Sequence, residues 1–146
     1  MSCYRLSPGA VPTGDVVESV EHLHLDPAPR VVSEARTFIR DSIRGIAPNL
    51  PGYLLDVLLL LTSELVTNAV IHARTPIEVG ITVTDRSVVV TVHDEDLDLV
   101  PERGNEREGG WGLGLVRELS HEFDMEHHPN AGKTAWFRVP REVEPP

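Results

Sequence analysis

The chain has 146 residues, the size of one domain, and its 23 acidic side chains against 13 basic ones give a net charge of −10. That balance excludes a phosphate-backbone binder, which needs a basic face, so no nucleic-acid partner is expected. The lone cysteine, Cys3, excludes an intrachain disulfide and fits a reducing compartment.

Residues 1–15 contain Pro8, Gly9, Pro12 and Gly14 and read as a flexible arm without the basic-then-apolar layout of a secretion signal. Val16–Leu25 alternates and predicts a strand. Pro27–Gly45 carries Val31, Val32, Ala35, Phe38, Ile39 and Ile43 at helical spacing, with Gly45 as the stop. Pro48–Gly52 is a turn, and Tyr53–Ala73 a long helix ended by Arg74-Thr75-Pro76. Its richest apolar run, Leu54–Leu61, is interrupted by Asp56 and is too short to span a bilayer, so a soluble, cytoplasmic protein with no membrane partner is expected.

Ile77, Val79, Ile81 and Val83 alternate with polar residues, as do Val88, Val90 and Val92, and Asp85-Arg86-Ser87 joins the two as a hairpin. From Asp94 to Gly110 the chain turns acidic and then glycine-rich, a long loop of the kind that usually carries function. Leu113–Ser120 predicts a short helix. Glu122–His128 and Thr134–Val139 predict a last hairpin turning at Pro129–Gly132, and residues 141–146 a disordered tail. The hairpin connections predict a two-layer α+β domain over residues 16–140, its mostly antiparallel sheet carrying helices on one face.

Four features bear chemistry. In Ser63-Glu64-Leu65-Val66-Thr67-Asn68-Ala69-Val70-Ile71-His72-Ala73, the polar residues Glu64, Asn68 and His72 recur at helical spacing on a helix that should otherwise be core. Burying them costs free energy unless each finds a partner. An Asn oxygen suits a hard cation such as Mg²⁺, and a Glu one turn away suits a general base; a buried structural hydrogen-bond pair has the same spacing. Gly110-Trp111-Gly112-Leu113-Gly114-Leu115 precedes a helix, where free amides bind anions, although a flexible turn reads the same way. It does not follow the first strand of a βαβ unit and lacks the Lys-Ser/Thr ending of a P-loop. Asp94 ends a strand, as a turn residue or as an acceptor for an exocyclic amine such as that of adenine. In Gly132-Lys133-Thr134, Lys133 reads as a solvated turn charge, and the Thr134 hydroxyl can point into a site on the open face of the sheet.

Taken in order, these features resemble the GHKL, or Bergerat-fold, ATPases, and among them the bacterial anti-sigma-factor serine/threonine kinases. The resemblance covers about residues 20–140: Ser63–Ala73 matches the N box, Gly112-Leu113-Gly114-Leu115-Val116 the second glycine box, and Gly132-Lys133-Thr134-Ala135-Trp136-Phe137 the closing strand. It implies a site for ATP and Mg²⁺ under a lid at Glu95–Gly110. Asn68 would ligate Mg²⁺, Glu64 would be the catalytic base, and Asp94 would read the adenine amine. Gly110, Gly112, Leu113, Gly114 and Leu115 would bind the nucleotide, the glycines on its phosphates, and Thr134 would line the adenine end near Asp94. The implied activity is phosphorylation of an anti-sigma-factor antagonist together with sequestration of a sigma factor, as a homodimer in many relatives. A non-catalytic nucleotide-sensing module of the same fold is the alternative.

One departure bears on that alternative. The family's first glycine box is commonly Asp-x-Gly-x-Gly, whereas here the run is Asp94-Glu95-Asp96-Leu97-Asp98. Extra carboxylates there repel an incoming nucleotide unless a cation or lid movement offsets them. None of the seven histidines sits in a separate helical hairpin, so the phospho-accepting histidine of the histidine-kinase branch is not expected; His127 and His128 read as exposed strand residues.

Overall fold

The computed structural model describes residues 9–97 and 118–142. Five strands form one antiparallel sheet: β1 (Val17–Leu25), β2 (Ile77–Thr84), β3 (Ser87–Asp94), β4 (Glu122–His128) and β5 (Gly132–Pro140), in the spatial order β1-β2-β3-β5-β4. Two helices, α1 (Val31–Ile46) and α2 (Gly52–Asn68), cover one face, α1 over β1 and β2, α2 over β3 and β5. This is the expected two-layer α+β architecture.

Both helices form because their apolar residues share a face. In α1, Val31, Ala35, Ile39 and Ile43 recur every four residues and are buried. Gly45 does not stop it; the helix ends when the Ala47 amide bonds the Ile43 carbonyl. Helix α2 starts after Pro51, whose extended backbone sets the entry, and it buries Leu58, Leu61, Leu65 and Val66 against β3 and β5. Arg36 ties the two helices, donating to the Leu59 carbonyl (3.1 Å) and to Ser63 Oγ (2.8 Å).

The long helix expected to run to Ala73 is continuous but not uniform. After Asn68 it widens into a π-helical turn, Ala69–Ala73, closed by Arg74 in a left-handed conformation (φ 55°). Such turns concentrate at functional sites. The segment Gly52–Ala73 has 22 residues and is long and apolar enough, by length and composition alone, to cross a membrane. The expectation drawn from Leu54–Leu61 understated its length; in this fold its apolar side fills the core above the sheet.

Register fixes which residues face the helices. Val88, Val90 and Val92 of β3 lie opposite Val139, Phe137 and Ala135 of β5, and all six belong to the core with Val79, Ile81 and Val83 of β2. The alternate residues, including Val89, Thr91, His93, Thr134, Trp136 and Arg138, face away from the helices. Part of the expected flexible arm closes this second face. Ala10 is buried against Val89 and Trp136, and Arg138 donates to the carbonyls of Gly9 (3.0 Å) and Ala10 (3.1 Å). Asp15 accepts from Thr84 Oγ1 at 2.8 Å. Residues 9–15 therefore form a strap rather than a loose arm. At the other terminus Arg141 is also anchored, pairing with Glu18 and donating to the Thr84 carbonyl.

Candidate functional site

The polar stripe of α2 lies where its spacing predicted. Glu64 and Asn68 are one helical turn apart and half-buried, while His72 is exposed on the π-helical turn. Neither Glu64 nor Asn68 has a hydrogen-bond partner among the described residues, so the reading as a structural pair finds no support in the contacts. Ser63 is fixed instead, donating to the Leu59 carbonyl at 2.8 Å while accepting from Arg36. An Asn oxygen and a carboxylate left available on a rigid helix suit Mg²⁺, which takes few protein ligands and completes its shell with phosphates and water. Among the described residues no group of three or more His, Cys, Asp or Glu converges on a metal.

Asp94 closes β3 on the helix-covered side. It is 3% exposed. Its Oδ1 accepts from Lys133 Nζ at 3.0 Å and from the Asp96 amide at 3.0 Å. Lys133 also pairs with Asp96 at 3.5 Å. The contact follows from register, because Asp94 and Lys133 lie directly opposite on β3 and β5. Gly132 makes it possible: a Cβ there would sit 1.9 Å from the Asp94 carbonyl oxygen, and its φ of +87° favours glycine. The next residue is anchored too, the Glu95 amide donating to Thr75 Oγ1 at 2.9 Å, which joins the end of β3 to the chain leaving the π-helical turn.

Three expectations change here. Lys133 is not a solvated turn charge but is 9% exposed and ion-paired. Thr134, expected to line the adenine end beside Asp94, turns its hydroxyl to the opposite face of the sheet. Its Oγ1 lies 2.9 Å from His93 Nδ1 and 2.9 Å from His128 Nε2. A hydroxyl carries one proton, so Thr134 can donate to only one of these rings. His128 is therefore a half-buried partner, not a free surface histidine. The signal that finds both residues is strand alternation: once Asp94 faces the helices, its partner Lys133 must share that face and Thr134 cannot.

Around Thr134 the second face is rich in titratable groups. His24, Glu78, His93, Thr134 and Glu126 form a continuous row across all five strands. Glu78 pairs with His22 at 3.1 Å and with His24 at 3.8 Å. Burial pushes the His93 imidazole below its ordinary value, and His128 beside it acts in the same direction, against the opposing pull of Asp94, Glu78 and Glu95.

Gly110, Gly112, Leu113, Gly114 and Leu115, with most of the acidic loop and the start of the short helix, lie outside the described residues; of that helix, residues 118–119 are helical.

Comparison with known proteins places this geometry in context. The profile of the histidine kinase-like ATPase domain matches residues 25–139, which include Glu64, Asn68, Asp94 and Lys133. The signal transduction histidine-protein kinase AfsQ2 of Streptomyces coelicolor is 27% identical over 125 residues, covering 73% of this chain and 23% of that protein. The chain thus spans about a quarter of that relative's length. Among solved structures, the RsbU and RsbW domains of Rv1364c from Mycobacterium tuberculosis superpose with a TM-score of 0.64 at 22% identity, over 84% of this chain and 32% of theirs. At that identity the likeness is one of fold.

Proposed function

The chain belongs to the histidine kinase-like ATPase domain family, and from that premise we propose that it binds Mg-ATP and transfers the γ-phosphoryl group to a serine or threonine hydroxyl of a partner protein. The observation that carries the reading is the pair Glu64 and Asn68, half-buried and without partners among the described residues, on the helix that packs over β3, the strand Asp94 ends. Asn68 would hold the cation through its side-chain oxygen. Bound Mg²⁺ supplies neutralisation of phosphate charge. Glu64 would accept the proton of the incoming hydroxyl as its oxygen bonds to the γ-phosphorus and the bond to the β-phosphate oxygen breaks, releasing ADP. Asp94, with Oδ1 engaged, keeps Oδ2 to accept the adenine amine.

The partner we propose is an anti-sigma-factor antagonist, with a sigma factor sequestered in turn. Support comes from the N-box resemblance and from the fold shared with an RsbW domain. No phospho-accepting histidine is needed in this reading. The experiment is phosphoryl transfer from labelled ATP to such an antagonist. Wild type transfers, and Glu64→Gln lowers the rate by about 10²–10⁴-fold with little change in ATP affinity. Equal transfer by wild type and Glu64→Gln would overturn the assignment.

A second reading is favoured by the glycine-free Asp94–Asp98 run. It is a nucleotide-sensing module that binds ATP without transfer. Calorimetry with Mg-ATP that shows binding, alongside silent transfer assays, selects it.

A further inference from the structure

We propose that Lys133 sets the base preference of the nucleotide site by positioning Asp94. This rests on the ATP-site reading above and adds a residue that reading does not use. The ammonium group sits beneath the helices with two carboxylates, Asp94 at 3.0 Å and Asp96 at 3.5 Å. A lysine buried this far needs such partners, and it gives them one positive charge against two negative ones.

The geometry makes the effect directional. Lys133 and the Asp96 amide both converge on Oδ1 of Asp94. That fixes the side-chain rotamer and leaves Oδ2 as the oxygen for a ligand. Gly132 holds the two strand ends together, and Thr75 pins Glu95, so the carboxylate has little freedom to turn. A carboxylate held as a pure acceptor welcomes the exocyclic amine of adenine and opposes the carbonyl oxygen that guanine offers at the same ring position. Without the ammonium, Asp94 loses the cation that holds Oδ1. Asp94 is then free to swing away, which weakens the preference for adenine.

Mg-ATP and Mg-GTP affinities, titrated calorimetrically on the full chain, test this. Wild type prefers ATP. Lys133→Met binds ATP about tenfold more weakly while GTP changes little, the size expected for losing one charge-assisted bond. Lys133→Arg, which keeps the cation, retains the preference. Because Lys133→Met takes a buried cation away from Asp94, the pair is also tested in an Asp94→Asn background, where the same substitution leaves the ATP-to-GTP ratio unchanged if Lys133 acts through Asp94. Thermal melts accompany each variant. An unaltered ratio in folded Lys133→Met overturns the inference alone, as does tighter ATP binding, which would make Lys133 a competitor of the nucleotide. A further shift of the ratio in the Asp94→Asn background overturns it too. Wild type that binds no ATP overturns the kinase reading and this inference together.

Discussion

The two faces of the β3–β5 pair are buried by different means. Toward the helices, Val88, Val90, Val92, Ala135, Phe137 and Val139 form an apolar layer that closes on the ion pair of Asp94 and Lys133. Away from them, Val89, Thr91, Thr134, Trp136 and Arg138 are almost as well covered, although neither α1 nor α2 lies there. They are covered by the 9–15 strap and by one another, through hydrogen bonds, an Arg138–Trp136 contact at 6.0 Å and histidine pairs. The first face derives its stability from area removed from water, the second from polar groups that must each be satisfied. Trp136 Nε1 shows the demand of the second arrangement, being buried with no partner among the described residues.

This contrast can be broken most sharply at Phe137, which is fully buried under the helices. Phe137→Ala is expected to cost about 3–5 kcal/mol in denaturant unfolding, the range for an aromatic cavity in a close-packed core. Gly132→Ala attacks the junction of the two faces. Its positive φ and the 1.9 Å approach to the Asp94 carbonyl lead to an expected loss of about 1–3 kcal/mol. A smaller effect is expected on the polar face. Thr134→Val keeps the shape but takes a hydroxyl from two histidines, and should cost about 1 kcal/mol. A loss there matching that of Phe137→Ala would erase the distinction between the faces.

The smallest effect concerns pH. His93 is held below its ordinary value by burial and by His128, so the unfolded chain takes up this proton before the folded one does. The contribution is fully present above the unfolded value, about 6.5, and is lost as pH falls through the lower folded value. Urea midpoints of wild type should therefore drop on acidification. His93→Gln should show a shallower drop, and an equal one would remove His93 as the cause.

Helices, strands and sheet were legible because their signals are periodic: the Val31, Ala35, Ile39 and Ile43 stripe, and the alternation through Val79–Val83 and Val88–Val92. The Glu64–Asn68 stripe was legible for the same reason. What escaped depended on a single residue of phase or on distant contacts. Thr134 and Lys133 exchange faces with a one-residue change of register, and a lysine in a hairpin looks solvated until its partner strand is known. The strap escaped because glycine and proline mark turns without revealing what a turn packs against: Ala10 finds Val89 and Trp136 far along the chain.

A π turn holds one residue more than an α turn for a similar advance, so Ala69–Ala73 acts as an insertion already absorbed by the helix. Everything after it is rotated by roughly 100° about the axis relative to an unbroken α-helix, while Glu64 and Asn68 before it keep their spacing. That rotation aims the exiting chain so that Thr75 meets the Glu95 amide. Losing one residue from this turn would thus act as a phase shift more than a shortening: the stripe on α2 would survive, but its fixed orientation toward the end of β3 would not.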